Sequence, residues 1–198
     1  MAKTEGLRER RRRQTHREIH ETALRLAGER GFAKVTVEEI SAEAGVSTRT
    51  FFNYFPSKEA AVIAMPPMPP DEDVAVFAAA GPAAPSDVLL DLIDLLLRDM
   101  ARHPPRRDAL HGMFALSQDH PAVLAAMLAG FETFQRQLAA TVAARTGEQP
   151  QDEMPRLIAS LTMAAIRTSL ENFTSGNDDN PVPYVERAVT TLRALLGR

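Results

Sequence analysis

The chain has 198 residues, 44% apolar and 25% charged, enough to bury a good core in one ordinary domain or in a small domain joined to a larger one. It carries no cysteine, which excludes disulfides, thiol catalysis and thiolate metal sites; it also lacks the apolar run of roughly 18 residues that a membrane-spanning helix requires. The net charge of −3 conceals an asymmetry: residues 1–60 hold 12 Lys/Arg against 9 Asp/Glu, and residues 61–198 hold 11 against 17. A basic front on an acidic body suits a protein that meets a polyanion with one end. The charged N-terminus has no apolar secretory core, so a cytoplasmic protein is expected.

The run Arg8, Arg10, Arg11, Arg12, Arg13 and Arg17 reads as a phosphate-contacting arm ahead of the first helix. That helix is predicted from about residues 13–15 to Arg30, with Ile19, Ala23, Leu26 and Ala27 as its buried stripe and Gly31 as a left-handed cap. Thr36 and Glu39 form a capping box at the start of a second helix, with Val37, Ile40 and Ala44 facing inward. Gly45 makes a tight turn and Ser47 caps a third, short helix. There Phe51 and Phe55, one turn apart, anchor the core and leave Thr48, Arg49, Thr50 and Asn53 facing out. Pro56 stops this helix, and Ser57 caps a fourth through Lys58 to Ala64. Two short helices across a glycine turn make a helix-turn-helix, whose second helix can lie in a DNA major groove.

Thr-Val-Glu-Glu-Ile-Ser-Ala-Glu-Ala-Gly-Val-Ser at 36–47 and Phe-Phe-Asn-Tyr-Phe-Pro-Ser-Lys-Glu at 51–59 resemble the TetR family of one-component regulators. The resemblance implies an all-α fold, with three helices in a DNA-binding head and about six more in a ligand-binding and dimerising body. Carried onto this sequence, it makes Thr48, Arg49 and Asn53 base-reading candidates. Thr36, Thr50, Tyr54 and Lys58 become phosphate-contact candidates, with Ser47 at the start of the recognition helix. The family usually has Tyr where this chain has Phe52. A phenyl group cannot donate to a phosphate, and Phe52 is expected to touch a thymine methyl or a sugar instead.

The domain reading is a head over residues 1–60 and a body over 61–198, with a Pro-rich connector at 65–85 holding Pro66, Pro67, Pro69, Pro70, Pro82 and Pro85. Val74-Ala75-Val76-Phe77 within it is ambiguous between strand and helix. Beyond it Ser86 is expected to cap a helix that is apolar almost all round, stopped by His103-Pro104-Pro105. Helices then follow over about 106–118, from an Asp119 cap to about 146, over about 151–173, and over about 183–196. Val185, Val189, Leu192 and Leu196 form a stripe on the last. Ala159, Ser160, Ala164, Ala165, Thr168 and Ser169 on the one before allow close helix approach, so the last two helices are the expected homodimer interface.

Met100, Met113, Phe114, Leu128, Phe131, Phe134, Met163, Ile166 and Phe173 supply soft and aromatic walls for a small-molecule site, with Arg167, His111, Gln118 and Thr162 as polar handles. No phosphate-binding glycine loop, nucleophile elbow or zinc-protease motif is present, and no catalytic role, cofactor or metal is assigned. His16 and His20 have metal-ligand spacing but read as a solvated or DNA-proximal pair. The sequence therefore reads as a ligand-responsive transcriptional repressor. It binds a near-palindromic double-stranded operator as a homodimer and is released by a small apolar effector. The alternative, a helical small-molecule-binding or protein-interaction module without DNA function, is opposed by the arginine run and the outward Thr48-Arg49-Thr50.

Overall fold

The structure, a computed structural model, describes residues 7–63, 65–195 and 197, with side chains from residue 11 onward. The side chains of Arg8 and Arg10, and the whole of Ala64 and Leu196, lie outside the described residues. Within these limits the chain is all-α, with ten helices and one 3-10 turn. Two compact units emerge: Met1–Pro67 with His111–Phe131, and Met68–Leu110 with Glu132–Arg198.

In the first unit, α1 (Leu7–Arg30) begins well before the predicted start. The arginine run has no apolar period, but Arg, Glu and Gln are good helix formers and continue the helix toward the N-terminus. The expected arm is therefore helical: Arg11, Arg12 and Arg17 are exposed on α1, whereas Arg13 is buried. Ile19, Ala23, Leu26 and Ala27 are buried as their spacing predicts. Gly31 takes φ +84°, and buried Phe32 opens the 3-10 turn Phe32–Lys34. Helices α2 (Val37–Glu43) and α3 (Thr48–Tyr54) flank Gly45 at φ +67°, and α4 (Lys58–Ile63) packs on α1 through Ala61, Val62 and Ile63. Gly130 belongs to the same unit and lies against Met65, whose Cγ would be only 2.8 Å from any Cβ placed there.

In the second unit, the segment 65–85 is not a continuous connector. Helix α5 (Asp71–Ala79) occupies its middle, with Asp71, Glu72 and Asp73 in the first turn complementing the helix dipole. This settles Val74–Phe77 as helical. Helix α6 (Pro85–Arg102) starts with Pro85 in its first turn, where a missing N–H costs nothing, so Ser86 lies inside the helix and does not cap it. Helix α9 (Glu153–Ser175) packs on α6 and on α10 (Val182–Leu195) around Leu92, Ile93, Ile158, Phe173 and Val185. Each such side chain stabilises the fold by roughly 1.5–3 kcal/mol on burial. Helices α7 (Arg107–Asp119) and α8 (Pro121–Thr146) give residues to both units. Asp119 ends α7 instead of capping α8; the His120 carbonyl accepts the first α8 amides, from Val123 and Leu124, at 2.9 and 3.1 Å.

Arg145 shows how the second unit satisfies a buried charge. Its side chain is 4% exposed; Nη2 meets Asp91 at 2.7 Å, Nε donates to the Gly81 carbonyl at 3.0 Å, and the guanidinium lies 4.7 Å from the Phe77 ring centre. No helix among the described residues is long and apolar enough to cross a membrane.

Candidate nucleic-acid interface

The recognition surface follows from how α2 and α3 are capped. The Thr36 backbone N–H donates to Glu39 Oε2 at 2.9 Å, and the Glu39 N–H donates back to Thr36 Oγ1 at 3.2 Å, the reciprocal pair expected from the sequence. These bonds from Thr36 hold the Glu39 carboxyl below its ordinary pKa, so the box is charged at neutral pH. Ser47 Oγ accepts from the Thr50 N–H at 3.0 Å and fixes the start of α3. Phe51 (0% exposed) and Phe55 (4%) pin the inner face of α3, with ring centres 6.0 Å apart.

With that face buried, the opposite one turns outward. Thr48, Arg49 and Asn53 are exposed, Thr50 and Tyr54 are half-buried, and Phe52 keeps 55% of its surface exposed while its ring meets Phe51 edge-on at 5.5 Å. The structure thus brings Thr48, Arg49, Phe52 and Asn53 onto one outward surface of a seven-residue helix.

Hydroxyl accounting separates the remaining candidates. The Thr36 hydroxyl donates to Glu39 Oε2 at 3.0 Å, so its single proton is already engaged. Thr50 Oγ1 and Ser47 Oγ lie 2.8 Å apart; one donates to the other, which leaves one proton between them. Lys58 is half-buried, and its ammonium donates to the carbonyls of Phe32 at 3.1 Å and Val35 at 2.8 Å while sitting 4.6 Å from the Phe32 ring centre. Two of its three protons are thereby engaged, tying α4 to the turn that leads into α2.

His16 and His20 are half-buried and packed against the protein, not fully solvated. The His16 ring lies 4.5 Å from Phe55, and burial, followed by the neighbouring His20, Arg12 and Arg13, lowers its pKa to about 4. His20 is neutral for the same first reason, burial, and donates Nδ1–H to the Ala61 carbonyl at 2.8 Å, joining α1 to α4.

Residues 19–65 match the family model described as "Bacterial regulatory proteins, tetR family", and residues 88–197 match the one described as the MftR C-terminal domain. The chain belongs to the TetR family. It is 31% identical over 172 residues to the transcriptional regulator TcmR of Streptomyces glaucescens, covering 82% of this chain and 74% of that one. It is 28% identical over 177 residues to the regulator EthR of Mycolicibacterium smegmatis, covering 86% and 79%. A TetR-family regulator from Syntrophomonas wolfei shares the fold, with TM-score 0.56 at 13% identity over 94% of this chain and 97% of that one. As a TetR-family member the chain is a helix-turn-helix, DNA-binding, ligand-responsive transcriptional regulator.

The body residues singled out in the sequence separate by burial. Met113 (first unit), Phe134 and Phe173 (second unit) are buried; Phe114 and Phe131 (first) and Met100, Met163 and Ile166 (second) are half-buried. Arg167 is exposed and paired with Glu171 at 2.8 Å, so this polar handle faces solvent. The cation near Phe173 is instead half-buried Arg107, 66 positions away, which periodicity could not have found. The last helices also divide differently from the expected stripe. Val185, Val189, Ala159, Ala165 and Ser169 are buried within the chain, and the exposed residues of α9 include Leu157, Ala164 and Thr168 together with the charged Arg156, Arg167 and Glu171.

Proposed function

We propose that two copies of this chain bind a near-palindromic operator, with their α3 helices in successive major grooves about 34–36 Å apart, and that the protein acts as a repressor. The observation that supports this reading is the two-sided α3. Phe51 and Phe55 fix it to the core, and that leaves Thr48, Arg49 and Asn53 to reach base edges. Arg49 can fork onto the two acceptors of a guanine, Asn53 can pair with adenine, and the Phe52 ring suits a thymine methyl. Tyr54 and the remaining Ser47/Thr50 proton serve phosphates. Lys58 and Thr36, already engaged, position the helices that carry the readers.

Dimerisation uses the outward face of α9, where 49%-exposed Leu157 sits with Ala164 and Thr168, and small residues let a partner helix approach closely. A small apolar effector in the body shifts the regulator away from the DNA-competent state, by as much as its affinities for the two states differ. Met65 against Gly130 gives the segment after α4 a contact through which such a shift can reach the head.

Fluorescence anisotropy with the chain's own upstream DNA tests this reading, alongside sedimentation at micromolar concentration. Tight, salt-dependent binding of a dimer is the expected result. A monomer indifferent to that DNA, and to every duplex in a random pool, overturns it.

A further inference from the structure

Arg107 opens α7, and its guanidinium carbon lies 5.0 Å from the ring centre of Phe173, a residue with no exposed surface. Its Nε and Nη2 are sealed from solvent and have no hydrogen-bond partner in the protein. Arg107 as a whole is half-buried, but two sealed, unmatched donors on its charged group carry a desolvation cost. The same unit shows the ordinary solution at Arg145, where a carboxylate and a carbonyl meet the buried cation. Nε and Nη2 are neighbours on one edge of the guanidinium plane, the edge that accepts both oxygens of a carboxylate at once.

A second orphan lies on the same side of α9 as Phe173. Thr162 has no exposed surface, and its Oγ1 has no partner. Buried Ser169 and half-buried Ser160 on that helix each donate to the carbonyl four residues earlier, at 2.7 and 2.8 Å, and Thr162 does not. Thr162 and Phe173 are eleven residues apart, which is three turns and about 16 Å along one helix face. The strip between them is half-buried at Ile166 and buried at Ala165 and at Ser169, whose hydroxyl proton is already taken by the Ala165 carbonyl.

We propose that the effector is an elongated apolar molecule with a terminal carboxylate. The acid pairs side-on with Arg107 over Phe173, the chain lies along α9, and a polar far end reaches Thr162. This assignment rests on the effector-responsive reading above and supplies its chemistry. It also accounts for the unmatched donors, a standing cost to the free protein that the ligand relieves.

The test uses the full-length protein with dodecanoate, 12-hydroxydodecanoate, dodecanol, dodecyl phosphate and inorganic phosphate. Affinity is read by calorimetry and thermal shift, and operator release by anisotropy. Dodecanoate is expected to bind at least about tenfold more tightly than dodecanol, since a charge-assisted bond to Arg107 is worth that factor or more. The 12-hydroxy acid is expected to bind more tightly than the plain acid, and only while Thr162 is present, so Thr162→Val removes that gain. Arg107→Met is expected to abolish the acid-over-alcohol preference and to melt no lower than the parent without ligand. A parent-like acid preference in Arg107→Met, or a clear fall in its ligand-free melting temperature, overturns the proposal. Tighter binding of dodecyl phosphate, or saturation by inorganic phosphate, replaces the carboxylate with a phosphate and overturns the assigned class. Release by dodecanol as readily as by the acid, unchanged in Arg107→Met, sinks the carboxylate assignment and leaves the effector reading standing. Acid binding that never releases DNA does the reverse.

Discussion

Replacing Lys58 by Met keeps the apolar stem and removes only the ammonium. In the structure that ammonium makes bonds of 3.1 and 2.8 Å to the Phe32 and Val35 carbonyls and lies 4.6 Å from the Phe32 ring centre. Two well-buried bonds from a charged donor would be worth about 3–6 kcal/mol net, and the cation–π contact adds about 0.5–1. Lys58 is half-buried, so water can recover part of this once the ammonium is gone, and a net loss of about 2 kcal/mol is expected. Urea unfolding without DNA, monitored by circular dichroism, reads the loss as a lower midpoint at unchanged slope. DNA binding at several salt concentrations reads the other possibility. A lysine that neutralises one phosphate contributes about 0.9 to the slope of log affinity against log salt. A positioning lysine leaves that slope in place. A Lys58→Met protein that unfolds at the parental midpoint, yet loses about one unit of salt slope, would show that the two carbonyl bonds do not govern this residue.

Three further outcomes are expected. Arg49→Ala should weaken operator binding by about 1–3 kcal/mol and relax preference at one base position, measured by selection from a randomised operator pool; uniform weakening at all positions would refute base readout. His16 takes a proton near 6.5 when unfolded but only at about 4 when folded, so stability is full above the first value and declines as pH falls toward the second. At about pH 5 the loss from this residue is at most about 2 kcal/mol, and a His16→Leu protein should show a flatter dependence of urea midpoint on pH. Arg145→Met leaves the Gly81 carbonyl unmatched and should cost about 2–3 kcal/mol, moderated because Asp91, 49% exposed, can be rehydrated; thermal denaturation at constant protein concentration measures it.

The head was legible in the sequence because its structure is local. The Thr36–Glu39 box, the positive φ at Gly45, the Ser47 cap and the Phe51/Phe55 pair each rest on residues within four positions of one another. Boundaries without such signals came out differently. The arginine run has no period to mark α1, and α5 is too short and too evenly apolar for its repeat to stand out. A single residue between α7 and α8 made Asp119 look like a cap when it closes the preceding helix. The roles of Lys58 and Arg107 were not legible at all. One depends on carbonyls 23 and 26 positions away, the other on a ring across the unit, and neither partner carries a local signature.

The first unit takes residues from two separated stretches of chain, and Phe32 in the head rests against His120, with ring centres 5.0 Å apart. Synthesis runs from the N-terminus, so the polypeptide that reads DNA leaves the ribosome long before the segment His111–Phe131 that completes its packing. A nascent chain ending near Pro67 lacks the His120 ring that lies against Phe32 in the longer chain. The packing of the first unit is therefore completed only once synthesis is well past the chain's midpoint.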